Sequence, residues 1–122
     1  KQVIEINESP GLVNPRALVA MINEAAYMVD EGVCDAQAAE LILKESWGMT
    51  QGPLEMADRL GLDLVLNWME QLQKEYGPRY APCPLMRRYV RERRLGVKTR
   101  LGFFAYTEDD ALATEGDGQQ ED

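Results

Sequence analysis

Leu18, Ile22, Ala25, Ala26 and Val29 recur at spacings of three and four residues, which winds them onto one stripe of a helix. Asn14-Pro15 supplies a start. The Asn14 side chain can accept from free first-turn amides, and Pro15 needs no donor at a first helical position. Gly32 supplies a stop, so the pattern predicts a first helix over about residues 15–31. Asp35 can cap a second at about 36–46, with Ala39, Ile42 and Leu43 turned inward, broken at Trp47-Gly48-Met49. Gly52-Pro53 opens a third, whose stripe is Leu54, Ala57 and Leu60 and whose end is Gly61. Glu55 sits favourably near its positive end.

Asp63 begins a fourth helix reaching about Tyr76 and burying Val65, Leu66, Met69 and Leu72. Gly77-Pro78 and Pro82-Cys83-Pro84 make a rigid loop. A fifth helix is predicted over about 84–94, with Leu85, Met86, Tyr89 and Val90 apolar and Gly96 beyond its end. The stretch GFFAY, Gly102 to Tyr106, is expected to be extended and to pack its aromatics on the bundle. Upstream, QVIEI at residues 2–6 alternates weakly, as a short strand does, and Ser9-Pro10-Gly11 breaks it. One such strand cannot form a sheet alone, so it is expected to be the last strand of a sheet that lies outside this chain. From Thr107 onward the chain is acidic and almost free of large apolar residues, and is expected to be disordered.

Composition narrows the chemistry. The 122 residues suffice for one cored domain, and 45% apolar with 28% charged residues is the balance of a soluble globular protein. No apolar run approaches the ~20 residues that span a bilayer. Histidine is absent, which removes the usual general base, nucleophile activator and metal ligand. Cys34 and Cys83 form no metal or redox motif and read as reduced thiols of a cytoplasmic protein, a disulfide between them being the alternative. There is no G-x-G-x-x-G fingerprint and no P-loop, so a nucleotide cofactor has no recognisable home in the chain, and no metal is expected.

The net charge of −8 hides a polarity. Residues 87–100 carry seven basic side chains and one acidic, whereas residues 101–122 carry seven acidic and none basic. The cluster of Arg87, Arg88, Arg91, Arg93, Arg94, Lys98 and Arg100 admits three readings: a solvated face, a contact for phosphate or an acidic partner, or a seat for the acidic tail. Bulk nucleic-acid binding is disfavoured by the total charge. Asn14 admits two: a helix cap, or an amide at a helix N-terminus that bonds a ligand oxygen. Trp47 and Trp68 read as core or interface residues. In GMTQGPLEMAD, a loop with two glycines leads directly into a Pro-initiated helix, which prescribes the backbone tightly.

The segments SPGLVNPR, NEAAYMVDEGV, GMTQGPLEMADRLGLD and GVKTRLGFFAYT, in this order and spacing, resemble the C-terminal helical domain of the NAD-dependent 3-hydroxyacyl-CoA dehydrogenases. The resemblance runs from about residue 2 to residue 107. It implies an all-α bundle of about five helices, like the C-terminal fold of 6-phosphogluconate dehydrogenase. The implied boundaries are residues 1–11 for the end of a Rossmann domain and linker, 12–106 for the helical domain, and 107–122 for the tail. It implies a parent enzyme of fatty acid metabolism (β-oxidation) that oxidises 3-hydroxyacyl-CoA to 3-oxoacyl-CoA. NAD and the catalytic His-Glu pair would belong to the N-terminal domain, so this fragment alone is expected to be inactive. The helical domain would wall the acyl-CoA cleft and form a homodimer.

The family places a substrate-holding Asn directly before the Arg of the first helix. In register that position is Pro15, with Asn14, the candidate substrate-binding residue, one place earlier. Ser46 and Arg100 stand where the family usually has Gly. These departures fit the alternative of a non-catalytic tandem copy used for packing or dimerisation.

Overall fold

Glycine and proline punctuate the chain, and the helices fall between them. The computed structural model describes Val3 and residues 13–113. It contains five helices: α1 (Val13–Asp30), α2 (Ala36–Trp47), α3 (Pro53–Leu60), α4 (Leu62–Tyr76) and α5 (Pro84–Arg91). Short 3-10 turns at Pro78–Tyr80 and Val97–Thr99 complete the order. Among the described residues extended pairing is confined to isolated bridges, so the domain is all-α. The QVIEI strand, apart from Val3, lies outside the described residues.

α1 is the central element and packs on α2, α3, α4 and α5. Val19, Ile22, Ala25 and Ala26 are its buried apolar positions. Leu54, Ala57, Leu62, Val65, Met69, Leu72, Leu85, Met86 and Phe103 close the core around it. Each large side chain taken fully out of water stabilises the fold by roughly 1.5–3 kcal/mol.

Several boundaries differ from the sequence pattern. α1 begins at Val13, so the backbone of Asn14 lies inside the first turn rather than at the cap. Pro15 is tolerated as the third helical residue because none of the first four amides has an intrahelical acceptor. α5 stops at Arg91, three residues early. Arg93 takes the left-handed conformation (φ 63°), and the Arg94 amide donates to the Tyr89 carbonyl at 2.8 Å. A non-glycine residue thus closes this helix, leaving Gly96 for another task. Ile42 and Leu60, expected inward, are 49% and 39% exposed. Each continues its helical stripe past the edge that neighbouring elements cover.

The acidic segment is ordered at its start, contrary to the expectation of disorder from Thr107. Thr107 donates to the Ala111 carbonyl (2.8 Å), and Ala113 donates to the Ala105 carbonyl (2.9 Å), which folds the chain back beside Tyr106. Residues 114–122 lie outside the described residues.

Candidate functional site

Two carboxylates that periodicity alone assigns to solvent are buried. Glu40, on α2, accepts from the Leu54 amide (2.9 Å) and the Glu55 amide (2.8 Å), closing the N-terminus of α3 from a neighbouring helix. Gly52 makes room for it, since a Cβ there would meet the Glu40 carboxylate. Burial pushes the Glu40 carboxyl above the usual range against the pull of those two amides.

Asp58, on α3, is 1% exposed. One of its oxygens accepts from the Phe103 amide (2.9 Å), the other from the Phe104 amide (3.0 Å) and the Tyr106 hydroxyl (2.7 Å). Gly96 and Gly102 press their backbones against Asp58 where no Cβ fits. Asp58 therefore clasps the C-terminal segment onto α3. Burial lifts its carboxyl to about 6, with the three donors opposing that shift. Burial and the adjacent carboxyl push the Tyr106 hydroxyl strongly upward, keeping it a neutral donor.

A third buried polar group, Asn23 on α1, holds the loop before α5. Its amide nitrogen donates to the Ala81 carbonyl (2.8 Å), and its oxygen accepts from the Cys83 amide (2.8 Å). Cys34 and Cys83 are free thiols. Burial raises the Cys83 thiol to about 11, which keeps it protonated and a poor nucleophile.

The start of α1 is fixed on the corner between α4 and the loop after it. Arg16 Nε donates to the Tyr80 hydroxyl at 2.9 Å, and the guanidinium lies 4.0 Å from the Tyr76 ring centroid. The side chain of Asn14 lies outside what is described.

The basic cluster is not one surface with one role. Arg87 pairs with Glu70 (2.6 Å), Lys98 with Asp63 (2.9 Å) and Arg100 with Asp110 (3.6 Å). Arg94 donates to the Gly102 carbonyl and lies 3.9 Å above the Tyr89 ring. Arg88, Arg91 and Arg93 have no carboxylate partner among the described residues.

Exposed apolar surface concentrates on α2. Leu41 and Ile42 (57% and 49% exposed) lie on its outer side, Trp47 (75%) overhangs its end, and Val33 (66%) precedes it. Trp68 is instead half-buried against the core.

No described group of three or more acidic or Cys side chains could hold a metal. Two helix starts are closed from within the chain, Asp35 accepting from the Ala38 amide on α2 and Glu40 serving α3. The described arrangement is a helical bundle whose buried polar groups are hydrogen-bonded and whose α2 carries exposed apolar side chains.

Comparison with known proteins agrees. Residues 11–106 match the family described as 3-hydroxyacyl-CoA dehydrogenase, C-terminal domain. The probable 3-hydroxybutyryl-CoA dehydrogenase of Bacillus subtilis is 44% identical over 109 residues, 88% of this chain and 38% of that protein. The crystal structure of (S)-3-hydroxybutyryl-CoA dehydrogenase PaaH1 from Ralstonia eutropha superposes with a TM-score of 0.79 at 40% identity, covering 82% of this chain and 36% of that one. That of M. tuberculosis FadB2 gives 0.82 at 30% identity, covering 88% and 38%. The chain thus spans little more than a third of these relatives. It belongs to the C-terminal-domain family of the 3-hydroxyacyl-CoA dehydrogenases.

Proposed function

We propose that the chain is the cleft-wall and dimerisation domain of a cytoplasmic, NAD-dependent 3-hydroxyacyl-CoA dehydrogenase, acting in fatty acid metabolism. The parent oxidises a 3-hydroxyacyl-CoA to the 3-oxoacyl form. NAD and the proton-transferring residues reside in a Rossmann domain outside this sequence, as the lack of histidine requires for a His-based reaction. The observation that carries the reading is the match over residues 11–106 to a family defined as one domain of such enzymes. Relatives near 40% identity bear the name 3-hydroxybutyryl-CoA dehydrogenase, which supports a short acyl chain. The homodimer is supported by Leu41, Ile42 and Trp47, large apolar side chains that stand in solvent on α2, a helix that buries only Ala39 and Glu40.

Asn14, in the first turn of α1, is the residue of this chain that we place at the cleft edge. A second reading, a tandem copy used only for packing, is favoured by Pro15 in the family's Asn position and by Arg100 in a left-handed conformation (φ 68°) where the family uses Gly.

A chimera separates the two. This chain replaces the matched segment of the Bacillus subtilis relative, and NADH formation from 3-hydroxybutyryl-CoA is followed. Turnover supports the cleft-wall reading, whereas a folded, dimeric, inactive chimera supports the packing copy. The chain alone is expected to show no turnover. Within an active chimera, Asn14→Asp should lower kcat/KM by about tenfold, a loss of roughly 1.4 kcal/mol, with thermal unfolding unchanged. Unchanged turnover removes Asn14 from the site.

A further inference from the structure

We propose that Arg16 and Arg79, gathered around Tyr76 and Tyr80 beside the start of α1, form a seat for a phosphate dianion, independently of the cleft-wall reading. The sequence sets the local shape. Gly77 and Pro78 end α4 and turn the chain through Pro78–Tyr80, where the Tyr80 amide donates to the Gly77 carbonyl (3.1 Å) and the Ala81 amide to the Pro78 carbonyl (2.9 Å). Asn23 then ties Ala81 and Cys83 to α1. Arg79 and Tyr80 are thus presented beside the first turn of α1 on a segment held at both ends.

Two arginines meet there without a carboxylate. The guanidinium carbon of Arg16 lies 4.0 Å from the Tyr76 ring centroid and 5.7 Å from that of Tyr80. The guanidinium carbon of Arg79 lies 5.8 Å and 5.1 Å from the same two centroids. Sharing the Tyr76 ring at 4.0 Å and 5.8 Å puts the two carbons no more than about 10 Å apart, within a Debye length at ordinary salt. Arg59, Arg87, Lys98 and Arg100 are each in an ion pair, whereas Arg16 and Arg79 are in none among the described residues. The faces of the rings attract each cation but do not neutralise it. One anion between the guanidiniums relieves their repulsion.

Two further contributions converge on the same place. The Tyr80 hydroxyl accepts from Arg16 Nε at 2.9 Å, so its own proton is turned elsewhere, and no described group accepts it. Arg16 is the fourth residue of α1, and helical side chains lean toward the N-terminus, which brings its guanidinium to the positive end of the helix dipole. The first turn of α1 carries no acidic residue to offset that end. The C-terminus of α4 opposes only with the partial charge of its last carbonyls, against two full cations. Guanidinium forks match phosphate oxygens through paired hydrogen bonds, and a phosphomonoester carries close to two negative charges, the number the two arginines balance. Arg79 is exposed and Arg16 half-buried, so the seat opens to solvent and suits a free phosphate ion or the terminal phosphomonoester of CoA.

The test uses the full 122-residue chain, labelled with ¹⁵N, and reads the arginine Nε–Hε signals at about pH 7.5, where a phosphomonoester is a dianion. Inorganic phosphate, CoA and dephospho-CoA are titrated in turn. The proposal expects phosphate to move the Arg16 and Arg79 signals saturably while those of Arg88, Arg91 and Arg93 stay fixed. Arg79→Gln should weaken phosphate binding about tenfold with thermal unfolding unchanged. Arg91→Gln, which removes an exposed arginine elsewhere, should weaken it less than about twofold. CoA binding at least about tenfold more tightly than dephospho-CoA assigns the seat to the CoA phosphomonoester, and CoA no tighter than dephospho-CoA, with inorganic phosphate bound, assigns it to the free ion. Shifts that sodium chloride alone reproduces overturn the proposal, as does an equal loss in Arg91→Gln, because the effect is then net charge. A hexaglutamate peptide that moves the same two signals at lower concentration than either phosphate source also overturns it, since the seat then belongs to an acidic segment of a partner protein.

Discussion

Around Asp58, a charged group is taken completely out of water and every oxygen is given donors. On the outer side of α2, by contrast, Leu41, Ile42 and Trp47 are left exposed by the described residues. The first region is polar and finished; the second is apolar and unfinished. The difference shows how the domain divides its labour. Its buried polar groups hold its own segments together, and its surplus apolar surface is available to another body. A mutation in the Asp58 corner should therefore act on folding, and one on α2 should act on association.

The largest expected effect comes from Asp58→Ala. The Phe103 and Phe104 amides and the Tyr106 hydroxyl lose their acceptor in a buried place, so urea unfolding should show a loss of about 4 kcal/mol or more. A loss below about 1 kcal/mol would mean that water replaces the carboxylate and that the corner is not sealed.

Acidity probes the same corner with no change in shape. A carboxyl lifted from 3.8 to about 6 in the folded state binds more protons there than when unfolded. Its contribution is thus fully present below the unfolded pKa and is lost as pH rises from about 4 to 6, on the order of 2–3 kcal/mol. The raised Glu40 carboxyl acts in the same direction, and Asp63, lowered by Lys98, acts in the opposite one. Comparison with Asp58→Asn, measured by urea unfolding at each pH, isolates the Asp58 part. Parallel curves for the two proteins would exclude it.

On α2 the paired change Leu41→Ser with Trp47→Ser should leave monomer stability within about 0.5 kcal/mol, as exposed sites do. Self-association, followed by sedimentation, should weaken by roughly 2 kcal/mol or more, about thirtyfold. Weakening of folding instead would make these residues part of the core and erase the contrast.

The smallest effect concerns Arg100, held at φ 68° with an exposed ion pair to Asp110. Arg100→Gly relieves the left-handed cost and gives up a pair of little worth, so thermal unfolding should show a gain of about 0.5–1 kcal/mol. A loss would show that the Asp110 contact anchors the returning tail.

The helices were legible because their signals are local. Gly32, Gly48, Gly61 and Gly77 end helices or follow them directly, and Pro53 and Pro84 open them. Asp35 caps α2 as expected, its carboxylate accepting from the Ala38 amide. The buried polar groups were not legible. Glu40, Asp58 and Asn23 find their partners 14 to 60 residues away, and periodicity treats an acid or amide as a surface residue. A hint existed in the glycines. Gly52, Gly96 and Gly102 are each pressed on one of those carboxyl-bearing residues, so glycines that do not merely turn the chain mark close approach. Ile42 and Leu60 were misjudged because a stripe gives direction along a helix but not how far the neighbouring elements extend. Asn14 was misplaced because an Asn-Pro pair fits a first turn as well as a cap.

The Asp58 clasp also orders events in time. Its donors lie 45, 46 and 48 residues further along the chain. During synthesis α1 to α4 leave the ribosome first, carrying a carboxylate whose place in the fold has no partners yet. Until Tyr106 has emerged, that carboxylate is better off hydrated, and α3 cannot settle fully against its neighbours. Completion is therefore a late event triggered from the C-terminal side, and a nascent chain stalled before residue 106 should remain open to proteases and chaperones.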